Sequence, residues 1–252
     1  MISAFVTVRT QSSRLPNKCL LPFGKQTVLH HVLNRCISGG LRPIVCTTDL
    51  TSDDVLTDIC DDLNVEYFRG SEKNKLQRWR DCCREFKVSS FHTVDADDPF
   101  FCVEEIQRSF NQLENGFDMV EPTKSSSSGG ATVGYSIKSH VLEQVCANLK
   151  STTDTEMMWT FIKAVPKLKI TQLSEPDQNA ISARMTLDYH EDYIFLSAIL
   201  AILGPNATKA SISNLLLTNP DLTLINEFRA DEWANNQKLK ISKAKLGAYR
   251  YE

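Results

Sequence analysis

Between residues 2 and 115 the chain alternates four short apolar runs with segments of helical length. The runs cover residues 2–8, 43–47, 65–68 and 90–94. Helical patterning covers residues 28–38, a segment from Ser52 to Asn64, residues 76–86 and residues 103–115. The first helix is expected to stop at Gly39-Gly40, and Ser52 can cap the second, with Asp53 and Asp54 in its first turn. Strands that alternate with helices build a parallel sheet covered on both faces. With 252 residues, 42% of them hydrophobic, the chain has enough apolar surface for one large core.

The pattern changes after residue 124. KSSSSGG, residues 124–130, reads as a mobile loop. A strand is expected at 132–137, helices at 138–149 and 155–164, an extended piece at 168–173 and a strand at 183–187. An amphipathic helix follows at 189–203. After Gly204-Pro205 the sequence predicts one or two short helices and a polar tail. The expected organisation is one domain over residues 1–252, with residues 125–165 as a small insertion.

Composition narrows the function. With 28 basic and 31 acidic side chains the net charge is −3, which gives no general attraction for nucleic acid. Eight cysteines occur without a CxxC pair or fixed spacing, the usage of reduced core thiols in a cytoplasmic protein. One apolar strand followed by charges is neither a secretory signal nor a membrane span.

The chemistry concentrates at the ends of strands. The first strand runs into Arg9-Thr10-Gln11-Ser12-Ser13-Arg14-Leu15-Pro16-Asn17-Lys18. Backbone N–H groups point outward where a strand gives way to a helix, and Arg9, Arg14 and Lys18 can add charge-assisted hydrogen bonds to a triphosphate. Ser12 and Ser13 can donate to phosphate oxygens, and Leu15-Pro16 stiffens the loop. A solvated basic loop would have the same composition. Asp97 and Asp188, each expected to end a strand, can reach one mouth of the sheet and hold Mg²⁺, which takes oxygen ligands. Each also reads as an ordinary turn or helix cap. Thr47 ends the second strand at the same edge, where turn formation explains it equally well. His30 and His31 read as packing residues.

The run RTQSSRLPNKCLLPFGKQTVLHHVLNR resembles the signature of the cytidylyltransferases that activate acidic sugars. That family includes the 3-deoxy-manno-octulosonate and acylneuraminate enzymes and the spore coat polysaccharide protein F group. Arg9, Ser13, Arg14, Leu15, Pro16 and Lys18 fill its fixed positions, and Asn17 stands where glycine is common. Phe68-Arg69-Gly70-Ser71-Glu72 is similar to a segment of the spore-coat group, with Asn74 in place of its aspartate. The turn Asp95-Ala96-Asp97-Asp98-Pro99 and the segment Met185 to Asp192 resemble the family's two acidic turns. Thr155 to Thr160 keeps Glu156 and Thr160 of a further segment.

The resemblance implies a Rossmann-like nucleotide-diphospho-sugar transferase fold, mostly parallel, with helices on both faces and a small dimerisation insertion. It implies transfer of CMP from CTP to an acidic sugar, with release of pyrophosphate. Arg9, Arg14, Lys18, Asp97 and Asp188 would be catalytic. Val8, Arg9, Thr10, Ser12, Ser13, Arg14, Lys18, Thr47, Arg69 and Asp95 would bind the nucleotide, and Asp97 and Asp188 the Mg²⁺. A homodimer in the cytoplasm is expected, without nucleic-acid or membrane partners. A phosphonate or sugar phosphate acceptor is an alternative, as is an idle nucleotide-binding subunit.

Overall fold

The computed structural model describes residues 1–175 and 183–248. The first half follows the alternation. Strand β1 (Ser3–Thr7) leads through the cationic loop to a two-residue hairpin, β2 (Pro22–Phe23) and β3 (Gln26–Thr27). Helix α1 (Val28–Ser38) begins where the Thr27 hydroxyl accepts the His30 N–H. Then come β4 (Arg42–Thr48), α2 (Asp54–Asp62), β5 (Glu66–Gly70), α3 (Lys75–Glu85), β6 (Ser90–Asp95) and α4 (Val103–Glu114). Asn74 caps α3, its side chain accepting the Gln77 N–H at 2.9 Å. The amide that replaces a carboxylate there has a local structural role.

The second half adds β7 (Met119–Glu121), β8 (Ser136–Lys138), α5 (Ser139–Cys146), α6 (Met158–Lys163), β9 (Ile170–Gln172), α7 (His190–Leu203), α8 (Lys209–Thr218) and α9 (Ala230–Ala248). The seven-stranded sheet has the order β5-β4-β1-β6-β8-β7-β9, with β8 antiparallel to both of its neighbours. The remaining pairings are parallel. This is the mostly parallel, Rossmann-like architecture expected.

Alternation along each strand supplies both faces. From β1, Ala4 and Val6 join one core with Leu29, Leu33, Leu56 and Ile106, under α1, α2 and α4. Phe5 points the other way, into a core with Trp79, Cys82, Val141 and Phe161 from α3, α5 and α6. Phe5 stacks on Phe91 with ring centroids 4.2 Å apart. A third cluster seats α7 and α8 through Phe195, Leu196, Ile199 and Ile212 against Val28, Phe100 and Leu187. All eight cysteines are buried and unbridged, and burial raises the thiols of Cys36 and Cys60 to about 12.

The structure departs from expectation in five places. Residues 183–187 form no strand: Met185 N–H donates to Gly129 O and Leu187 N–H to Asp97 O, two isolated bonds rather than a ladder. The strand expected at 132–137 begins only at Ser136, because the Cys102 N–H takes the Thr132 carbonyl and Ser126 Oγ accepts from the N–H groups of Thr132 and Val133. Residues 119–121, not expected as a strand, extend the sheet. Residues 126–130 of the expected loop form a wide helical turn closed by Ala131. The polar tail is largely the 19-residue α9. Residues 125–165 share the main sheet through β8 and the second core through α5 and α6. Among the described residues no helix is long and apolar enough to cross a membrane.

Candidate active site

The sheet order reverses between β1 and β6: β4 and β5 lie to one side of β1, and β6 to the other. Strands that diverge in this way leave a crevice at their carboxyl ends, where ligands of open α/β sheets bind. Here that crevice is a cleft of about 710 Å³, lined from one side by Val8, Arg9 and the following loop and from the other by Asp95 to Asp98.

The loop is held by local chemistry. The Asn17 N–H donates to Thr10 O at 3.1 Å, and the Leu20 N–H donates to Asn17 O at 2.8 Å. Asn17 has φ 54° and ψ 27°, the left-handed region. Asparagine tolerates this conformation better than other side chains, so the turn survives the loss of the usual glycine. Below the loop, buried Asp53 accepts the Thr10 N–H at 2.9 Å and its hydroxyl at 2.6 Å. It also accepts the hydroxyls of Thr47 and Thr48. Burial alone would raise the Asp53 pKa, but these donors outweigh it and lower it.

Lys18 is the centre of the site. Its Nζ donates to Asp97 Oδ2 at 2.5 Å, to Asp188 Oδ1 at 2.8 Å and to Leu187 O at 2.8 Å. Arg14 reaches the same Asp188 oxygen at 2.6 Å. The Trp233 indole N–H donates to the other, Oδ2, at 2.9 Å. Burial alone would lower the Lys18 pKa; Asp97 and Asp188 outweigh it and raise it. Asp188 moves the opposite way: burial would raise it, and Lys18 and Arg14 hold it well below the usual carboxylate range. Burial, with Asp188 and Asp95 nearby, raises Asp97 despite Lys18. Burial, with Asp97 and Asp95 nearby, pushes Asp98 well above the usual range.

Asp188 comes to this position without a strand. The Leu187 N–H bond to Asp97 O joins its segment to the end of β6. Buried Asp192, near the start of α7, accepts the N–H groups of Asp188 and Tyr189, each at 2.9 Å. Arg184 clamps Asp192 with two bonds of 2.8 and 2.9 Å, and Asn226 adds a third at 2.9 Å. A helix-terminal carboxylate thus fixes the backbone on which Asp188 stands.

The residues anticipated as nucleotide contacts divide. Val8, Arg9, Ser12, Ser13, Arg14, Lys18, Asp95, Asp97 and Asp188 line the cleft. The Ser12 and Ser13 hydroxyls make no hydrogen bond within the described residues. Thr10, Thr47 and Arg69 do not line it. Thr10 and Thr47 are spent on Asp53, and Arg69 is turned away onto Thr48 O, Leu50 O and Asp54. Of the histidines set aside as packing, His31 is buried with Nε2 2.9 Å from Pro99 O.

Sequence reasoning missed Arg78, Lys75 and α9. Arg78 lines the cleft, is 4% exposed, and donates from NH1 to Ser71 O. Its Nε has no partner and no carboxylate lies within 4 Å among the described residues. Burial, with Arg9 nearby, lowers its pKa. Lys75 pairs with Asp95 at 3.2 Å. Glu156, kept from the family segment, lies 3.6 Å from Arg9 and 2.6 Å from Lys240 of α9. Neither Arg78 nor α9 carried a signal in the sequence: Arg78 is a lone arginine on a helix, and α9 has no apolar stripe.

A cation-bearing loop and an acidic turn facing each other across the switch point of such a sheet define a nucleotidyltransferase. The sequence matches the cytidylyltransferase family over residues 4–157, and the chain belongs to that family. It is 26% identical over 232 residues to the spore coat polysaccharide biosynthesis protein SpsF of Bacillus subtilis, covering 86% of this chain and 94% of that one. A cytidylyltransferase structure from Leptospira borgpetersenii superposes with a TM-score of 0.77 at 19% identity, over 88% of this chain and 96% of the other. The structure of CMP:2-keto-3-deoxy-manno-octonic acid synthetase complexed with CTP superposes with a TM-score of 0.62 at 12% identity, over 81% of this chain and 100% of that one.

Proposed function

We propose that the protein transfers CMP from CTP to the hydroxyl of an acidic sugar of the octulosonic or nonulosonic type and releases pyrophosphate. The observation that carries this reading is the convergence of Arg14 and Lys18 with Asp97 and Asp188 at the mouth between β1 and β6. Arg9, Arg14 and Lys18 hold the triphosphate, and the free hydroxyls of Ser12 and Ser13 donate to its oxygens. The acceptor oxygen gives up its proton to solvent and forms its bond to the α-phosphorus as the bond to the β-phosphate oxygen breaks. The loop cations neutralise the departing pyrophosphate. Catalysis of this kind rests on positioning and charge neutralisation.

The donor set fits a hard divalent cation. Ligand oxygens of Asp95, Asp97 and Asp98 lie within 4.8 Å of one another. Asp97 and Asp188 already converge on a positive charge, the Lys18 ammonium. Asp97, with Asp188 across the Lys18 position, would hold Mg²⁺, which supplies charge neutralisation at the phosphates when bound.

A thermal-shift panel of the four nucleoside triphosphates with Mg²⁺ tests the donor, since a ligand that binds only the folded state raises the Tm. Selective stabilisation by CTP is the expected result; an equal response to all four overturns the assignment. Pyrophosphate release with 3-deoxy-manno-octulosonate, N-acetylneuraminate, phosphonates and sugar phosphates separates the acceptor classes. We read the assembly as a homodimer in the cytoplasm. Analytical ultracentrifugation tests it, a monomer at micromolar concentration being the contrary result.

A further inference from the structure

We infer that the carboxyl-terminal helix α9 completes the active site in cis, with Trp233 as a positioning residue that sets the orientation of the Asp188 carboxylate. The inference rests on the reading of Asp188 as a ligand of the divalent cation.

Four observations lead to it. First, eight residues of α9 between Ala230 and Ile241 line the cleft, Trp233, Gln237 and Lys240 among them. Their spacing of three and four residues is that of one helical face. Second, this face is pinned at both ends. Trp233 Nε1 donates to Asp188 Oδ2 at 2.9 Å, and Lys240 Nζ donates to Glu156 Oε1 at 2.6 Å. The pins stand two turns apart, about 10 Å along the axis. α9 therefore bridges from the acidic side of the cleft to the Glu156 that faces Arg9. Third, the indole is itself fixed, with the Arg184 guanidinium 5.3 Å from its ring centre. The same Arg184 clamps Asp192, so indole and carboxylate are set from one rigid cluster. Fourth, Trp233 is the closest donor to Oδ2, the next being Arg184 at 3.6 Å.

The physical consequence concerns the freedom of one side chain. Lys18 and Arg14 both approach Oδ1. With nothing firm on Oδ2 the carboxylate can rotate about its terminal torsion, which is broad for aspartate. A single N–H on Oδ2 removes that freedom and presents Oδ1 toward Asp97. Groups that orient a metal ligand in this way are commonly worth 10- to 100-fold in metal affinity.

The test uses Trp233→Phe in the full-length protein. Phenylalanine keeps an aromatic ring against Arg184 and removes the N–H. Mn²⁺ binding is read from the free-ion EPR signal in the presence of CTP, and CTP binding is read separately in EDTA. Trp233→Phe is expected to weaken Mn²⁺ about 10- to 100-fold and to leave metal-free CTP binding unchanged. Asp188→Asn should abolish the tight Mn²⁺ site, and the double variant should be no worse than Asp188→Asn alone. In metal-free wild-type protein, the indole N–H NMR resonance that Trp233→Phe identifies should shift on titration with Mg²⁺, and should not respond in Asp188→Asn. Wild-type Mn²⁺ affinity in Trp233→Phe overturns the positioning role and leaves the site reading intact. Absence of tight Mn²⁺ binding in the wild type overturns the site reading, and the role of Trp233 with it. Should Trp233→Phe fail to fold, the indole resonance is assigned by triple-resonance NMR of the wild-type protein and its titration decides: an indole N–H of Trp233 that ignores Mg²⁺ overturns the proposal.

Discussion

Arg78 lines the cleft as a buried cation that the fold leaves partly unpaired. A buried guanidinium without a carboxylate costs free energy unless something compensates it. Here Ser71 O accepts one bond, while Nε has none. A nucleotide in the cleft would bring the missing acceptors. Arg78→Met should therefore move two quantities in opposite senses. The Tm of the free protein should stay level or rise, and CTP affinity should fall about 10- to 100-fold, the worth of a hydrogen bond to a charged group. Calorimetric melting and isothermal titration check the pair, and a loss of Tm with unchanged CTP affinity would make Arg78 a packing residue. The sequence hid this role because a lone arginine on a helix reads as a surface charge. Arg69 is the converse: its position in a family-like segment pointed to the nucleotide, yet three acceptors beside β4 capture it. Asp53 read as a first-turn helix charge, while its work is to tether the cationic loop through Thr10. Such choices depend on which acceptor lies within reach after folding, and that is not a property of spacing.

At the level of elements, legibility follows the type of neighbour each element has. Strands β1, β4, β5 and β6 and the helices between them bury apolar faces against one another, so their periodicity is plain in the sequence. Residues 183–187 show similar apolar character but pack under α7 and bond singly to the chain, so apolarity misled there. Helix α9 lines the cleft rather than one of the cores, so no apolar stripe marks it. Strand β8 is the joint between the parallel half of the sheet and the rest, and its approach to β6 depends on Gly134. A Cβ there would stand 2.2 Å from Thr93 O and 2.4 Å from Thr93 Oγ1, both on β6. Neither atom can yield, because the Thr93 hydroxyl accepts the Tyr135 N–H at 2.9 Å. Gly134→Ala should therefore destabilise by about 1–3 kcal/mol, the usual cost of overpacking, as a lower urea midpoint at unchanged m-value. An unchanged midpoint would mean that β8 is free to slide from β6.

The molecule as a whole joins its layers through two buried histidines that must stay neutral. His31 on α1 meets Pro99 O in the acidic turn, and its ring lies edge-on to Phe23 and Phe100. His92 on β6 has Nδ1 2.8 Å from Ser136 Oγ, and its Nε2 accepts the Gly134 N–H at 3.1 Å. Burial depresses His31 to about 4 and His92 to about 3. In the unfolded chain both titrate near the ordinary value of 6.5. Below that pH the unfolded state binds protons that the folded state refuses, so folding stability falls as pH falls. The stability is complete above about pH 6.5 and is lost progressively toward pH 4, at up to about 1.4 kcal/mol per pH unit for each histidine. Urea midpoints measured from pH 7.5 to pH 5.5 should decline over this window, which lies above the range where carboxylates of the unfolded chain titrate. His92→Gln should make the slope shallower by the His92 share, leaving His31 set against the proton uptake of Asp97 and Asp98, whose pKa values the fold raises. A flat stability profile down to pH 5.5 in an Asp98→Asn background would place one or both rings in contact with solvent, and would loosen the packing that holds the acidic turn beside the cationic loop.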